Sequence, residues 1–135
     1  MWTTRRPAVG RYEELEDLEV YRLAVRLADR VWEIVVKWPP FARDTIGRQL
    51  VRAADSIGAN IAEAYGRFHY GERVQHLYYS RGSLYETRHW IHRSHTRGLI
   101  SRPDHIDLFN QLNILGPKLN AYIASKKRQR NRPPK

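Results

Sequence analysis

The 135-residue chain contains no cysteine, which excludes both a disulfide framework and a thiolate metal site. It has no uninterrupted run of roughly 18 apolar residues, and no apolar segment follows the arginines near its start. It also has no glycine-rich phosphate loop, nucleophile elbow or zinc-ligand spacing. We therefore expect one soluble, cytoplasmic domain with no membrane association, cofactor or metal.

Acidic residues are scarce toward the C-terminus. The chain has 24 Lys and Arg against 14 Asp and Glu, a net charge of +10. Residues 1–40 carry seven charges of each sign, whereas residues 118–135 carry seven bases and no acid. Nineteen of the bases are arginines, which contact phosphate and stack on bases through a planar group. This polarised charge predicts a polyanionic partner, and a generally basic proteome is the alternative explanation.

Four segments show the 3.6-residue periodicity of amphipathic helices, at about 16–37, 43–68, 72–97 and 102–125, and none alternates like a strand. Helices joined by short loops pack antiparallel, so we predict an all-α, up-down-up-down four-helix bundle over residues 15–125. Pro117 in the fourth segment predicts a kink or break, since an interior proline costs about 3 kcal/mol. Residues 1–14 are expected to be flexible. Residues 126–135, KKRQRNRPPK, lack an apolar face and predict a disordered basic tail.

The second and third helices carry a pattern of small residues. Leu77, Leu84 and Ile91 repeat every seven residues in the third helix, with small hydroxyl residues at the intervening heptad position. The second helix is rich in alanine on its apolar face. These two helices are therefore expected to approach closely.

A polar stripe borders that apolar face, with steps of four, three and four from Ser56 to Arg67. One interpretation is a hydrogen-bond network that sets helix register, with partners from the third helix. The other is an active site around Glu63 and Glu86, which lacks a second group at an obvious acid–base spacing. We favour the network and a non-enzymatic protein. The predicted network comprises Ser56, Asn60, Glu63, Arg67, Ser83 and Glu86.

These residues carry a family resemblance. The stretch QLVRAADSIGANIAEAYGR at 49–67, followed by GSLYE at 82–86, resembles four-helix bundle proteins first noted as reading frames in intervening sequences of large-subunit ribosomal RNA genes. Their pattern is Q-L-x-R-A-x-x-S-I-x-x-N-I-A-E-G, then G-R, then G-S-L-x-E. The chain departs from it at Ala64, where glycine is usual, and at Pro117. The matching residues are Gln49, Leu50, Arg52, Ala53, Ser56, Ile57, Asn60, Ile61, Ala62, Glu63, Gly66, Arg67, Gly82, Ser83, Leu84 and Glu86.

The resemblance implies a homopentamer of such bundles. For one branch of the family it also implies the accessory variability determinant of diversity-generating retroelements, which joins a reverse transcriptase and binds nucleic acid. Most other members have no known activity, so the resemblance specifies fold better than function.

Aromatic and basic residues alternate along one face of the third helix, from Tyr78 to His95, at steps of three and four. Arginine can hold phosphates while tyrosine or histidine stacks on unpaired bases. An oligomer interface is the alternative, because tyrosine and arginine are also enriched there. Three histidines at steps of three, without a carboxylate or thiolate, indicate surface residues rather than a metal site. The predicted nucleic-acid-binding residues are Arg81, Tyr85, Arg88, His92, His95, Lys126, Lys127, Arg128, Arg130 and Arg132.

The leading functional hypothesis is a non-enzymatic accessory subunit that binds RNA, and possibly DNA, beside a reverse transcriptase. A structural or interaction module whose basic surface only keeps it soluble is the alternative. An enzyme that uses Glu63 and Glu86 is the third.

Overall fold

The computed structural model describes residues 14–131, and every regular element in that range is helical. A 3₁₀ turn at Leu15–Asp17 precedes the first long helix. A short helical turn at Pro40–Ala42 and a π-helical turn at Arg43–Gly47 lead directly into the second. The long helices are α1 (Glu19–Val35), α2 (Arg48–Gly66), α3 (Tyr70–Thr96) and α4 (Arg102–Arg130).

The four helices pack as a closed ring. α1 and α3 each contact both α2 and α4, and the α2–α3 contact is the most extensive. Arg30, late in α1, pairs with Asp104 at the start of α4 at 2.6 Å. Glu19, at the start of α1, pairs with Lys118 in the second half of α4 at 3.0 Å. These contacts confirm the all-α prediction and agree with an up-down-up-down antiparallel bundle.

The seam of α3 is buried as its heptad pattern predicts. Leu77, Leu84 and Ile91 are in the core, and the small hydroxyl residues between them are fully buried. The Ser80 hydroxyl donates a hydrogen bond of 2.8 Å to the Ile57 carbonyl oxygen of α2. A serine side chain is short, so this bond requires the close approach of α2 and α3 that the small residues predict.

Local sequence explains where the helices begin and end. Gly98 follows α3 with a φ of 76°, a left-handed conformation that glycine adopts without a steric penalty. The Ser101 side chain then accepts a hydrogen bond from the Asp104 amide, which caps the start of α4. At the same end of the bundle, a Cβ on Gly47 would lie 2.8 Å from Val35 Cγ1. That position therefore needs glycine for close packing against α1.

The structure contradicts two expectations about α4, a break at Pro117 and disorder from residue 126. The helix continues without a break through Pro117, because Leu115 and Leu119 are fully buried on either side and hold it in the bundle. It also continues to Arg130, so Lys126–Arg130 are helical rather than disordered. Ile123, which is buried, extends the apolar face to within one turn of these bases. Arg132, the rest of the predicted tail and most of the predicted flexible N-terminal segment lie outside the described residues.

The hydropathy of the helices also bears on localisation. Among residues 14–131, no helix combines the length and apolar character needed to cross a membrane.

Candidate nucleic-acid interface

The predicted stripe of α3 lies on the bundle surface. Tyr85 is 61 % exposed, and Arg88 and His92 are also exposed. Arg81 and His95 are half-buried. The stripe can therefore meet a large partner from solvent.

The two arginines of the stripe cross to α4. Arg81 Nη1 donates to Asn120 Oδ1 at 3.5 Å, and Arg88 Nη1 donates to Asn113 Oδ1 at 3.3 Å. Each guanidinium also lies over an aromatic ring, Arg81 over Tyr78 and Arg88 over Phe109, both at 4.8 Å from the ring centre. These contacts orient both guanidinium groups, so the surface comprises α3 and α4 together.

The C-terminal bases join this surface because α4 is helical there. Lys127 Nζ lies 5.8 Å from the centre of the Tyr78 ring. A hydrogen bond from Lys127 is the main cause that lowers the pKa of the Tyr78 hydroxyl below its usual 10.0, and the charges of Lys127, Arg81 and Arg130 add to it. Positive charge from both helices therefore converges on one tyrosine.

We call the combined patch the basic–aromatic surface. Arg130 on it is exposed, whereas Lys127 is half-buried along α4. Its members are Tyr78, Arg81, Tyr85, Arg88, His92 and His95 from α3, and Lys127 and Arg130 from α4. Of the other predicted bases of α4, Arg128 is exposed and Lys126 is half-buried beside the Tyr122 ring.

Histidines form the opposite end of the surface. The rings of His95 and His105 stack with centres 4.0 Å apart and planes 12° apart, and Phe109 lies 4.6 Å from His105. Burial is the first cause that lowers the pKa of His105, followed by the charges of His95 and His92. Within residues 14–131 no group of three or more His, Asp or Glu side chains could hold a metal ion. The stacked histidines instead offer a flat, aromatic edge.

The predicted cross-helix polar network does not form among residues 14–131. The Ser56 hydroxyl donates to the Arg52 carbonyl oxygen at 2.8 Å, and Asn60 Nδ2 donates to the Ser56 carbonyl oxygen at 2.9 Å. Such bonds to the preceding helical turn are common for short polar side chains. Glu63 and Arg67 do pair, at 3.2 Å, but at an exposed position.

The members of that network on α3 are also local. Glu86 accepts a hydrogen bond from the Trp90 indole at 3.1 Å, one turn along its own helix. The carbonyl oxygen of Ser83 accepts one from Thr87 at 2.7 Å. The Ser80 hydroxyl instead forms a hydrogen bond between α2 and α3. Ser80 is one of the small hydroxyl residues that the sequence places at a heptad position of the core.

Sequence reasoning also missed the contribution of α4. Asn113 and Asn120 hold the two arginines, and His105 and Phe109 complete the histidine end. A seven-residue spacing of Asn113, Asn120 and Lys127 places these side chains on one face of α4 and is the signal that could have found them.

The comparisons with known proteins address the fold and the family. The profile of the 23S rRNA-intervening sequence protein family matches residues 16–121. The chain belongs to this family. The match covers all four helices except the last turns of α4, and it confirms the resemblance seen in the sequence motif. No curated protein matches the chain.

A solved structure has the same fold as this member of the 23S rRNA-intervening sequence protein family. It is a Bacteroides thetaiotaomicron protein of unknown function from the S23 ribosomal protein family, with 21 % sequence identity and a TM-score of 0.69. The alignment covers 77 % of this chain and 97 % of that one. At this identity the similarity shows the fold alone.

Proposed function

We propose that the protein is a non-enzymatic subunit that binds single-stranded nucleic acid, chiefly RNA, on the basic–aromatic surface. The observation that carries this proposal is the convergence of Arg81 and Lys127 on Tyr78. It joins the α3 stripe to the C-terminal bases in one continuous patch. The family description, which refers to an rRNA intervening sequence, agrees with an RNA partner.

The chemistry of the surface suits an unpaired strand. Guanidinium and ammonium groups contact phosphates without regard to sequence, and exposed aromatic rings can stack on bases. Tyr85 offers an exposed ring between Arg81 and Arg88, so phosphate and base contacts alternate along α3. This alternation is what a strand of repeating phosphate and base requires.

More specifically, we propose that the protein is an accessory subunit of a reverse transcriptase in a diversity-generating retroelement. The motif resemblance and the basic surface support this assignment. A reverse transcriptase gene beside a variable-protein gene and its template repeat would be the expected gene neighbourhood. A neighbourhood without a reverse transcriptase would contradict this finer assignment.

We also propose that the protein assembles as a homopentamer. Besides the family resemblance, support comes from large apolar side chains at the surface: Trp32 is 59 % exposed, Val36 52 % and Phe41 82 %. Trp38 is buried and so does not contribute to an exposed apolar patch, and Trp90 is half-buried. Trp2 lies outside the described residues.

The alternative function is a structural module whose stripe is the subunit interface. Tyr85 favours it as much as it favours RNA binding, because exposed tyrosines are enriched in interfaces. The arginine contacts to Asn113 and Asn120 orient the surface for either partner.

Binding of a labelled single-stranded RNA over a series of salt concentrations tests the proposal. Contacts to phosphates make affinity fall steeply with salt, with a slope of about 0.7 per phosphate on a logarithmic plot. The double variant Arg81→Ala, Arg88→Ala should keep the fold but lose affinity and part of the slope, since the contacts that half-buried Arg81 and exposed Arg88 make at the surface add little stability. Arg52→Ala, an exposed arginine on α2, is the matched control and should bind like wild type.

Removal of residues 127–135 takes away five bases and should flatten the slope further. A double arginine variant that binds RNA like wild type would contradict the proposal. One that falls apart into monomers would show that the stripe is the subunit interface.

A further inference from the structure

A cavity of about 320 Å³ lies at the end of the bundle where all four helices meet. The residue before α1, the last turn of α2, the first turns of α3 and the last turns of α4 contribute to it. Its volume is at the lower end of the roughly 300–1,000 Å³ that small-molecule sites occupy. The residues that characterise it are Leu18, Tyr65, Arg73, Leu77, Tyr122 and Lys126.

The cavity has an apolar floor, and aromatic and positively charged side chains line its walls. Leu18 and Leu77 are buried, and Tyr65 and Tyr122 are half-buried. Arg73 and Lys126 bring positive charge from α3 and α4, and none of the acidic residues between 14 and 131 lines the cavity. A cavity with an apolar floor, two tyrosines and two cations matches a ligand that has a flat ring and a negative group.

Both cations are held in place. Arg73 Nε donates to the Arg67 carbonyl oxygen, and its guanidinium lies 5.1 Å from the centre of the Tyr70 ring. Lys126 Nζ lies 5.2 Å from the centre of the Tyr122 ring, and it donates to Gln129 at 3.2 Å. Oriented cations lose less conformational freedom when an anion binds.

The cavity adjoins the basic–aromatic surface. Leu77 and Lys126 line the cavity, and the residues that directly follow them, Tyr78 and Lys127, contact each other on that surface. A nucleic-acid strand that lies along α3 therefore reaches the cavity at the Tyr78 end and stays beside positively charged side chains.

We propose that this cavity binds one nucleoside monophosphate unit, with its phosphate at Arg73 and Lys126 and its base against Tyr122. The inference rests on the proposed function, in which the unit is one nucleotide of the bound strand. The same chemistry would accept a free nucleotide, so the experiment includes both sources.

Calorimetry with adenosine 5′-monophosphate, adenosine and inorganic phosphate tests the assignment on the full-length protein. The monophosphate should bind more tightly than either fragment, because only it contacts both cations and the tyrosine. Arg73→Gln and Lys126→Gln should each weaken it about tenfold or more, as charge-assisted hydrogen bonds contribute roughly 1.5–3 kcal/mol and 1.4 kcal/mol is tenfold. Tyr122→Leu keeps an apolar side chain and should remove the preference for monophosphate over phosphate.

Arg52→Gln is the matched control. Arg52 is an exposed arginine on α2, twelve residues or about 18 Å along the helix from Ala64 at the cavity, and its loss should change nothing. Circular dichroism of each variant verifies that the bundle is intact. If Arg73→Gln disturbs the turn after α2, Lys126→Gln and Tyr122→Leu still decide the matter.

The outcomes separate this inference from the function on which it rests. Absence of monophosphate binding, together with salt-dependent RNA binding that Arg73→Gln leaves unchanged, would overturn the inference and leave the RNA surface intact. Monophosphate binding that the cavity variants abolish, in a protein that binds no RNA, would support the cavity as a free-nucleotide site and contradict the RNA proposal. Equal affinity for monophosphate and phosphate would also overturn the inference, because the base would then make no contact.

Discussion

Lys127, near the end of α4, lies 5.8 Å from the centre of the Tyr78 ring on α3 and is the main cause that lowers the pKa of the Tyr78 hydroxyl. The two residues are 49 positions apart in the sequence. Their contact is possible because α4 remains helical past Ile123 and runs antiparallel to α3. It turns two separate basic segments into one surface.

The Tyr78–Lys127 contact should be visible in the titration of Tyr78. A donor at the phenolic oxygen stabilises the anion, so the Tyr78 pKa lies below its usual 10.0. Lys127→Gln removes the charge and should move the pKa back up. The tyrosinate absorbance difference between the protein and its Tyr78→Phe variant, recorded with and without Lys127→Gln, measures the shift. An unchanged titration would mean that Lys127 does not contact Tyr78 in solution.

Two exposed tyrosines of α3 provide a matched test of base stacking. Tyr85 is 61 % exposed on the basic–aromatic surface, whereas Tyr79 is 51 % exposed on another face and bonds to Gln75. Tyr85→Ala should weaken single-stranded RNA binding by about 1–3 kcal/mol, the usual contribution of one stacked base. Tyr79→Ala should leave binding at the wild-type level. Equal losses in the two variants would argue against a specific stacking site.

The histidine end of the surface predicts a pH dependence of stability. The folded-state pKa of His105 is lowered from 6.5, so the unfolded chain binds the proton more readily. The stabilisation that is linked to neutral His105 is therefore fully present above pH 6.5 and is lost as the pH drops below that value. Urea unfolding between pH 7.5 and pH 5.5 measures this loss, which should be smaller in His105→Gln. An NMR titration placing the His105 pKa above 6.5 would contradict the assignment.

The helix contacts predict which polar residue matters for folding. Asn60 bonds only within α2 among the described residues, so Asn60→Leu should cost no more than about 1 kcal/mol. Ser80→Val loses a buried bond and inserts extra volume against α2, so it should cost about 1–3 kcal/mol. Urea unfolding at neutral pH compares them. A larger loss of unfolding free energy in Asn60→Leu than in Ser80→Val would instead support the cross-helix network that the sequence indicated.

The proposed pentamer predicts a particle of about five times the 16.0 kDa chain mass. Light scattering at micromolar concentration measures this directly. Trp32→Glu replaces a 59 % exposed tryptophan and should reduce the mass if that patch joins subunits. The exposed Arg52→Glu of α2 is a control for added negative charge. A wild-type protein with the mass of one chain would exclude the pentamer.

The fold and the core were predictable because they depend on short-range periodicity. The heptad positions of α3, from Leu77 to Ser94, are buried as their spacing indicates, since a regular helix presents residues three and four apart on one face. The helix boundaries follow the local conformational preferences of Gly98 and Ser101. Helix propensity by itself predicts an interruption at Pro117. The helix continues there because the burial of its leucine neighbours in the bundle offsets the lost hydrogen bond.

The sequence by itself determined the helical periodicity, the family motif and the alternation of arginine with aromatic residues on α3. Only the tertiary structure decided which polar groups meet: Ser80 reaches α2, Asn113 and Asn120 hold the arginines, and Lys127 contacts Tyr78. The physical reason is that a side chain's partner across a bundle depends on the relative height and rotation of two helices. Packing of the whole core sets those two quantities, and no local stretch of sequence encodes them.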